Sequence, residues 1–175
     1  PQRIAYAIGG RNTAGQLGDG NITNRSSPVS TVGITYWTQV SAGGDHSVGI
    51  DSSGSAWGWG CNSSGQIGDC TAADRRIPRK TIGGFTDWCR IGAGNAHTAG
   101  IRINGTAWAW GTNASAQLGD NSATNRSSPA LVAGGFRDWC AVSAGYVHNI
   151  GIRTNGTAWS WGTNSSAQLG DGTTT

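Results

Sequence analysis

Three histidines, His46, His97 and His148, fall 51 residues apart, and four aspartates, Asp19, Asp69, Asp120 and Asp171, follow a leucine or isoleucine and a glycine at nearly the same interval. Imidazoles and carboxylates are the residue types of acid–base and metal chemistry. Regular spacing argues against both uses, because equivalent positions on successive repeat units stand too far apart to share one ion. The histidines are therefore expected to be hydrogen-bonded structural residues. The aspartates suit turns, with neither a carboxylate pair nor a calcium loop indicated. Serine is abundant but no nucleophile elbow accompanies it. GGRNTAG, Gly9 to Gly15, lacks the spacing and the Lys-Ser/Thr of a phosphate loop. No catalytic residue, metal site or cofactor is expected, and the chain is expected not to be an enzyme.

Sites are better sought where the units differ, since a residue present in every unit builds the frame. Cys61 and Cys70 occur only in the second unit, where the third has Thr112 and Asn121. Flanking one short loop, they are expected to form a disulfide worth up to ~3 kcal/mol, which would imply an oxidising compartment. Two free thiols are the alternative. Cys89 and Cys140 share one repeat position with Thr38 and read as small buried side chains without partners. The second unit also has DRRIPRK, Asp74 to Lys80, where the first has NRSSPVS. Its Arg75, Arg76, Arg79 and Lys80 form a basic patch, suited to an acidic partner or simply solvated. Just before each histidine the residues change from unit to unit: Gly44-Asp45, Asn95-Ala96 and Tyr146-Val147. Variation on a fixed frame is how a scaffold displays different side chains on one face. Asp45, Asn95, Tyr146 and Val147 are the partner-binding candidates there, with Tyr146 the foremost, because a tyrosine offers contact area at low entropic cost.

The frame that must hold these positions is a repeat. Trp37, Trp88 and Trp139 step by 51 residues, as do the pairs Trp57/Trp59, Trp108/Trp110 and Trp159/Trp161, so all nine tryptophans occupy repeat positions. The units run 4–54, 55–105 and 106–156, with an incomplete one at 157–175. In GIRINGTAWAWG the Asn104-Gly105 pair signals a two-residue hairpin turn. That turn would set Ile101 opposite Trp108 and Ala99 opposite Trp110, making one bulky face. Gly100, Arg102, Ala107, Ala109 and Gly111 would line a thin one, and sheets with such faces are built to stack. The first copy has Ile8 in place of a tryptophan and one extra residue before Gln16, so an irregular corner is expected there. No stretch keeps a helical period. Short strands repeating every ~50 residues predict an all-β fold, a β-propeller of four-stranded blades.

The pattern W-x-W-G-x-N-x-x-x-Q-L-G-D, then P, then W-x-x-V-S-A-G-x-x-H resembles the regulator of chromosome condensation repeat. Trp110, Gly111, Asn113, Gln117, Leu118, Gly119, Pro129, Ala144, Gly145 and His148 carry the match in the third unit. The resemblance implies a ring of usually seven blades with binding surfaces on its two faces. About three and a half blades are then present. The rest would come from the same chain beyond Thr175 or, alternatively, from a second copy. Function is not implied, since the family includes a guanine nucleotide exchange factor, ubiquitin-ligase domains and secreted enzyme inhibitors.

Composition narrows the choice. Charged residues are 12%, about half the usual share, and the net charge is +3, with Lys80 the sole lysine. Nucleic-acid binding needs clustered positive charge, so neither nucleic acid nor a membrane surface is an expected partner. No apolar run approaches the ~20 residues of a spanning helix. Sequons at Asn62, Asn104, Asn113, Asn155 and Asn164 recur with the unit and read as turn residues. The leading expectation is a non-enzymatic propeller scaffold for protein binding, attachment or decoration, extracellular or on a virion surface. An exchange-factor-type regulator and a secreted enzyme inhibitor are the alternatives.

Overall fold

The computed structural model describes residues 6–7, 10–34 and 36–175. Ile8, at the irregular corner expected of the first copy, lies outside them. The described residues form thirteen strands in four antiparallel sheets, and no helix occurs among them. β1 (Tyr6–Ala7) pairs with β2 (Val29–Ser30). One four-stranded blade is β3 (Trp37–Ala42), β4 (His46–Asp51), β5 (Ala56–Gly60) and β6 (Arg75–Lys80), in that order across the sheet. The next is β7 (Trp88–Ala93), β8 (His97–Arg102), β9 (Ala107–Gly111) and β10 (Arg126–Leu131). The last sheet has three strands, β11 (Trp139–Ala144), β12 (His148–Arg153) and β13 (Ala158–Gly162). Sequence unit and sheet are out of phase. Residues 157–175 open a repeat in the sequence, but β13 within them is the third strand of the sheet that β11 begins.

The hairpin register differs from the sequence expectation by one residue. Arg102 N–H donates to Thr106 O at 3.0 Å and Gly105 N–H to Arg102 O at 2.9 Å, so the loop is three residues, Ile103 to Gly105. Gly105 takes φ +75°, and a Cβ there would collide with the Arg137 carbonyl. Asn104 Oδ1 accepts from both the N–H and the hydroxyl of Thr106, which rigidifies the turn. A one-residue change moves every side chain to the other face. Trp108 therefore pairs with Gly100 and Trp110 with Thr98, whereas Ile101 pairs with Ala107 and Ala99 with Ala109. The bulky face carries Trp88, Trp108 and Trp110 around Gly100, where a Cβ would meet Trp88 at 2.9 Å. The thin face is aliphatic.

Thin face meets bulky face at each blade joint. Val48, Ile50 and Ala56 of the first blade are buried against Trp88, Ile91, Ala93 and Trp110 of the second. Ala99, Ile101, Ala107 and Ala109 of the second blade repeat the arrangement with Trp139 of the next sheet, with Trp161 packed beside them. Ring centroids of Trp88 and Trp110 lie 5.6 Å apart and those of Trp139 and Trp161 5.7 Å, within the range of favourable aromatic pairs. A buried tryptophan removes on the order of 200 Å² from water, worth several kcal/mol.

Each blade's outer rim carries its own fastening. Asn62 Nδ2 donates to Asp69 Oδ1 (3.0 Å), Asn62 Oδ1 accepts from Ile67 N–H, and Asp69 pairs with Arg75 at 2.6 Å. Asn113, Asp120 and Arg126 repeat it, as do Asn12, Asp19 and Arg25. Edge carbonyls of the outer strands are capped by the preceding loop: Gly20 N–H bonds Arg76 O and Cys70 N–H bonds Ser127 O.

This fastening corrects the expected disulfide. Cys61 and Cys70 are free thiols. The loop they flank is already closed by the Asn62–Asp69 bond, as it is in the blade with Thr112 and Asn121. Cys61 Sγ turns to the Ser63 hydroxyl, and Cys70 is held at φ +65° by its bond to the next blade. Cys89 and Cys140 also depart from expectation: Cys89 is half-buried and Cys140 exposed. Both sit at a bulge after the first residue of an innermost strand, reaching the carbonyls of Ile101 and Ile152, where Thr38 reaches Ile50. The repeat position calls for a weak donor there, not for burial.

Candidate functional site at the inner loop rim

β3, β7 and β11 are the first strands of their sheets and pack on one another. Each leads into a tight turn closed by a glycine N–H on the carbonyl of the following histidine: Gly43 on His46, Gly94 on His97 and Gly145 on His148, at 2.8–2.9 Å. The turns bond to each other. Gly44 N–H lies 3.2 Å from Gly94 O and 3.3 Å from Asn95 O, and Asn95 N–H lies 3.3 Å from Tyr146 O. Three loops distant in sequence thus form one arc.

Behind the arc the histidines tie the joints. His46 Nε2 lies 3.1 Å from Thr98 Oγ1, which donates to Gln66 O at 2.8 Å. His97 Nε2 lies 3.2 Å from Asn149 Oδ1, and Asn149 Nδ2 donates to Gln117 O at 2.6 Å. Burial, with the nearby His97, pushes the His46 imidazole down to about 4. Burial lowers His97 as well. Both are neutral at physiological pH and face away from solvent, a structural role.

The sequence-derived candidates divide into two places. Asp45, Asn95, Tyr146 and Val147 lie on the arc. Asp45 accepts from Gln16 Nε2 (3.1 Å) and pairs with Arg11 (3.4 Å). Asn95 and Val147 are half-buried, while Tyr146 is 70% exposed. Arg75, Arg76, Arg79 and Lys80 lie elsewhere, on β6, the outermost strand of its blade. Arg75 belongs to the fastening with Asp69 and corresponds to Arg25 and Arg126. Arg76, Arg79 and Lys80 are exposed and enter none of the ion pairs of the described residues.

Sequence reasoning missed two groups. On the opposite face, Arg102 pairs with Asp87 through two bonds and stacks 3.8 Å over Phe85. Arg153, Asp138 and Phe136 repeat this. Their spacing of 51 residues was a visible signal. Gln39 and Ser41 on β3 were also missed; they bond the backbone of β7. No spacing signal marks them, because their equivalents are Arg90 and Gly92. A groove of about 720 Å³ lined by Phe136, Trp139, Trp159 and Trp161 follows the free edge of β13. In the complete blades a fourth strand pairs at that edge.

Comparison with known proteins agrees with this geometry. The family described as "Regulator of chromosome condensation (RCC1) repeat" matches residues 5–50, 53–101 and 104–152, and a second description of the same repeat matches 37–66 and 139–168. The ultraviolet-B receptor UVR8 of Arabidopsis thaliana is 27% identical over 168 residues, which are 93% of this chain and 38% of that protein. The probable E3 ubiquitin-protein ligase HERC4 of Mus musculus is 33% identical over 173 residues, 94% of this chain and 16% of that protein. Among solved structures, human WBSCR16 superposes with a TM-score of 0.85 at 22% identity, covering 97% of this chain and 45% of that one. Prp20p of Saccharomyces cerevisiae gives 0.84 at 20%, covering 97% and 43%. The chain thus spans less than half the length of each.

Proposed function

Because the chain belongs to the regulator of chromosome condensation repeat family, we propose that it is a non-catalytic propeller scaffold that binds a protein partner through the inner loop arc. The observation that carries this reading is the arc itself. Three turns bonded backbone to backbone hold different side chains, an acid, an amide and an exposed tyrosine, on a frame that otherwise repeats. His46 and His97 are engaged in joints and the repeat aspartates in ion pairs or turns, so the rim recognises rather than transforms. Prp20p, which shares the fold, binds Gsp1p and histones, and this supports protein recognition by such folds. An extracellular or virion setting rested in part on the Cys61–Cys70 bridge, and that part of its support is lost with the thiols free.

The test is site-specific photo-crosslinking of the whole chain in the cells that produce it. A photoreactive residue at Tyr146 is expected to capture one discrete protein partner, and the same residue at Ile103, equally exposed on the opposite face, is not. Equal capture at both positions, or none at Tyr146, discards the reading. A nucleotide-release assay on the captured partner separates the exchange-factor alternative, which predicts a GTPase.

A further inference from the structure

The innermost strands differ in what covers their free edge. Because Gly94 N–H and Gly145 N–H close on His97 O and His148 O, alternation turns the amides of Ile91 and Ala93 in β7, and of Val142 and Ala144 in β11, away from the neighbouring strand. In β7 those groups are occupied. Ile91 N–H donates to Gln39 Oε1 at 3.1 Å, Gln39 Nε2 donates to Ile91 O at 2.8 Å, and Ala93 N–H donates to Ser41 Oγ at 3.1 Å. One unit further on, Arg90 stands in the place of Gln39 and Gly92 in the place of Ser41.

Gly92 occupies the same spot as Ser41: a Cβ on it would lie 3.5 Å from Ala144 N and 3.9 Å from Val142 O. Without a hydroxyl it leaves the Ala144 N–H uncovered. Arg90 is exposed, donates only to its neighbour Cys89 O, and enters none of the ion pairs of the described residues. A guanidinium has five donors and no acceptor, so it cannot supply the oxygen that Gln39 supplies. The edge of β11 therefore presents two outward N–H groups, beside the Arg90 cation of β7, where β7 receives two side-chain oxygens. Tyr146, 70% exposed, stands two residues beyond Ala144.

We propose that this edge receives a carboxylate side chain of the protein partner. One of its oxygens accepts from the Val142 N–H and the other pairs with the Arg90 guanidinium, while Tyr146 covers the adjoining apolar surface. A donor and a positive charge side by side match a carboxylate; a nucleic-acid backbone would need more cations in register, and Arg76, Arg79 and Lys80 sit on an outer strand. The inference rests on the arc being a protein-binding surface, and it names the chemistry of the residue bound there.

Nuclear magnetic resonance on the ¹⁵N-labelled 175-residue chain tests it, with N-acetyl-Ala-Glu-Ala-amide and its Gln counterpart as probes. The Glu peptide is expected to shift the Val142 amide signal saturably, and the Gln peptide to bind about tenfold more weakly or less. Arg90→Gln, which installs the Gln39 side chain, is expected to abolish these shifts while the rest of the spectrum stays folded. Equal shifts with both peptides, shifts persisting in Arg90→Gln, or no shift at Val142 would each overturn the proposal. A cross-link at Tyr146 with no Glu-peptide shift keeps the arc as a binding surface and removes the carboxylate subsite. The reverse outcome keeps the subsite and removes the arc.

Discussion

The two blade joints share an apolar stack but not a polar seam. Across the first, Gln39 and Ser41 add three side-chain bonds to the His46–Thr98–Gln66 relay. Across the second, Arg90 and Gly92 add none, and among the described residues the side-chain bonding is the His97–Asn149–Gln117 relay. The stacked tryptophans are the same at both joints, since a void or a clash there costs several kcal/mol, while the aliphatic residues against them vary in size, as Val48 does against Ala99. Inner-rim bonds are worth about 1 kcal/mol each, so they are free to vary, and a binding edge arises where they lapse.

Removing what the joints share has the largest expected effect. Trp110→Ala at the first joint and Trp139→Ala at the second are each expected to cost about 3–5 kcal/mol in urea unfolding. A cost below about 1 kcal/mol at either would break the claim that both joints depend on the stack. Acid comes next. His46 titrates at about 4 when folded against its ordinary 6.5. Stability is therefore complete above pH 6.5 and falls as pH drops to about 4, by on the order of 3 kcal/mol. The carboxylates of Asp19, Asp69 and Asp120, held below their usual 3.8 despite burial by hydrogen bonds and by their arginines, add losses only below that value. His46→Gln should flatten the decline between pH 6.5 and 4; an unchanged pH profile of unfolding would assign it elsewhere.

The seam itself sharpens the comparison. Gln39→Ala leaves the Ile91 N–H and C=O uncovered and is expected to cost about 1–3 kcal/mol. Arg90→Gln is expected to gain about 1 kcal/mol by supplying the missing bonds. Opposite signs in parallel denaturant titrations are the predicted signature, and equal signs would show the joints to be alike. Smallest is Cys70→Gly. At φ +65°, where the equivalent residues Gly20 and Gly172 are glycine, it should stabilise by up to about 1 kcal/mol. All four cysteines should react with a thiol reagent in denaturant without prior reduction.

Much of this was legible in the residues. The interval of 51, the nine tryptophans and the Asn-Gly turns identify stacked hairpin blades, and the changing residues before each histidine mark the arc. Other features were hidden. Asn104-Gly105 signals a two-residue turn, but a glycine in the left-handed region also closes a three-residue loop, and the contact of Gly105 with Arg137 across the joint accompanies the longer one. Arg75 looked like part of a basic cluster because its neighbours are basic; its bond to Asp69 shows it to be the counterpart of Arg25 and Arg126. Cys61 and Cys70 looked like a pair because they arrive together, but Asn62 and Asp69 between them already do the closing.

By itself, the sequence determined the architecture: which residues are frame, which vary, and how often the frame recurs. Those are properties of local pattern, and hydrophobic periodicity and turn chemistry are written along the chain. Only the tertiary structure decided which face each tryptophan occupies, that Gln39 covers Ile91, and that nothing in the described chain covers Val142 in the same way. Those contacts join residues 52 apart. Their existence depends on how far each blade is turned against the next, and no local pattern encodes that angle.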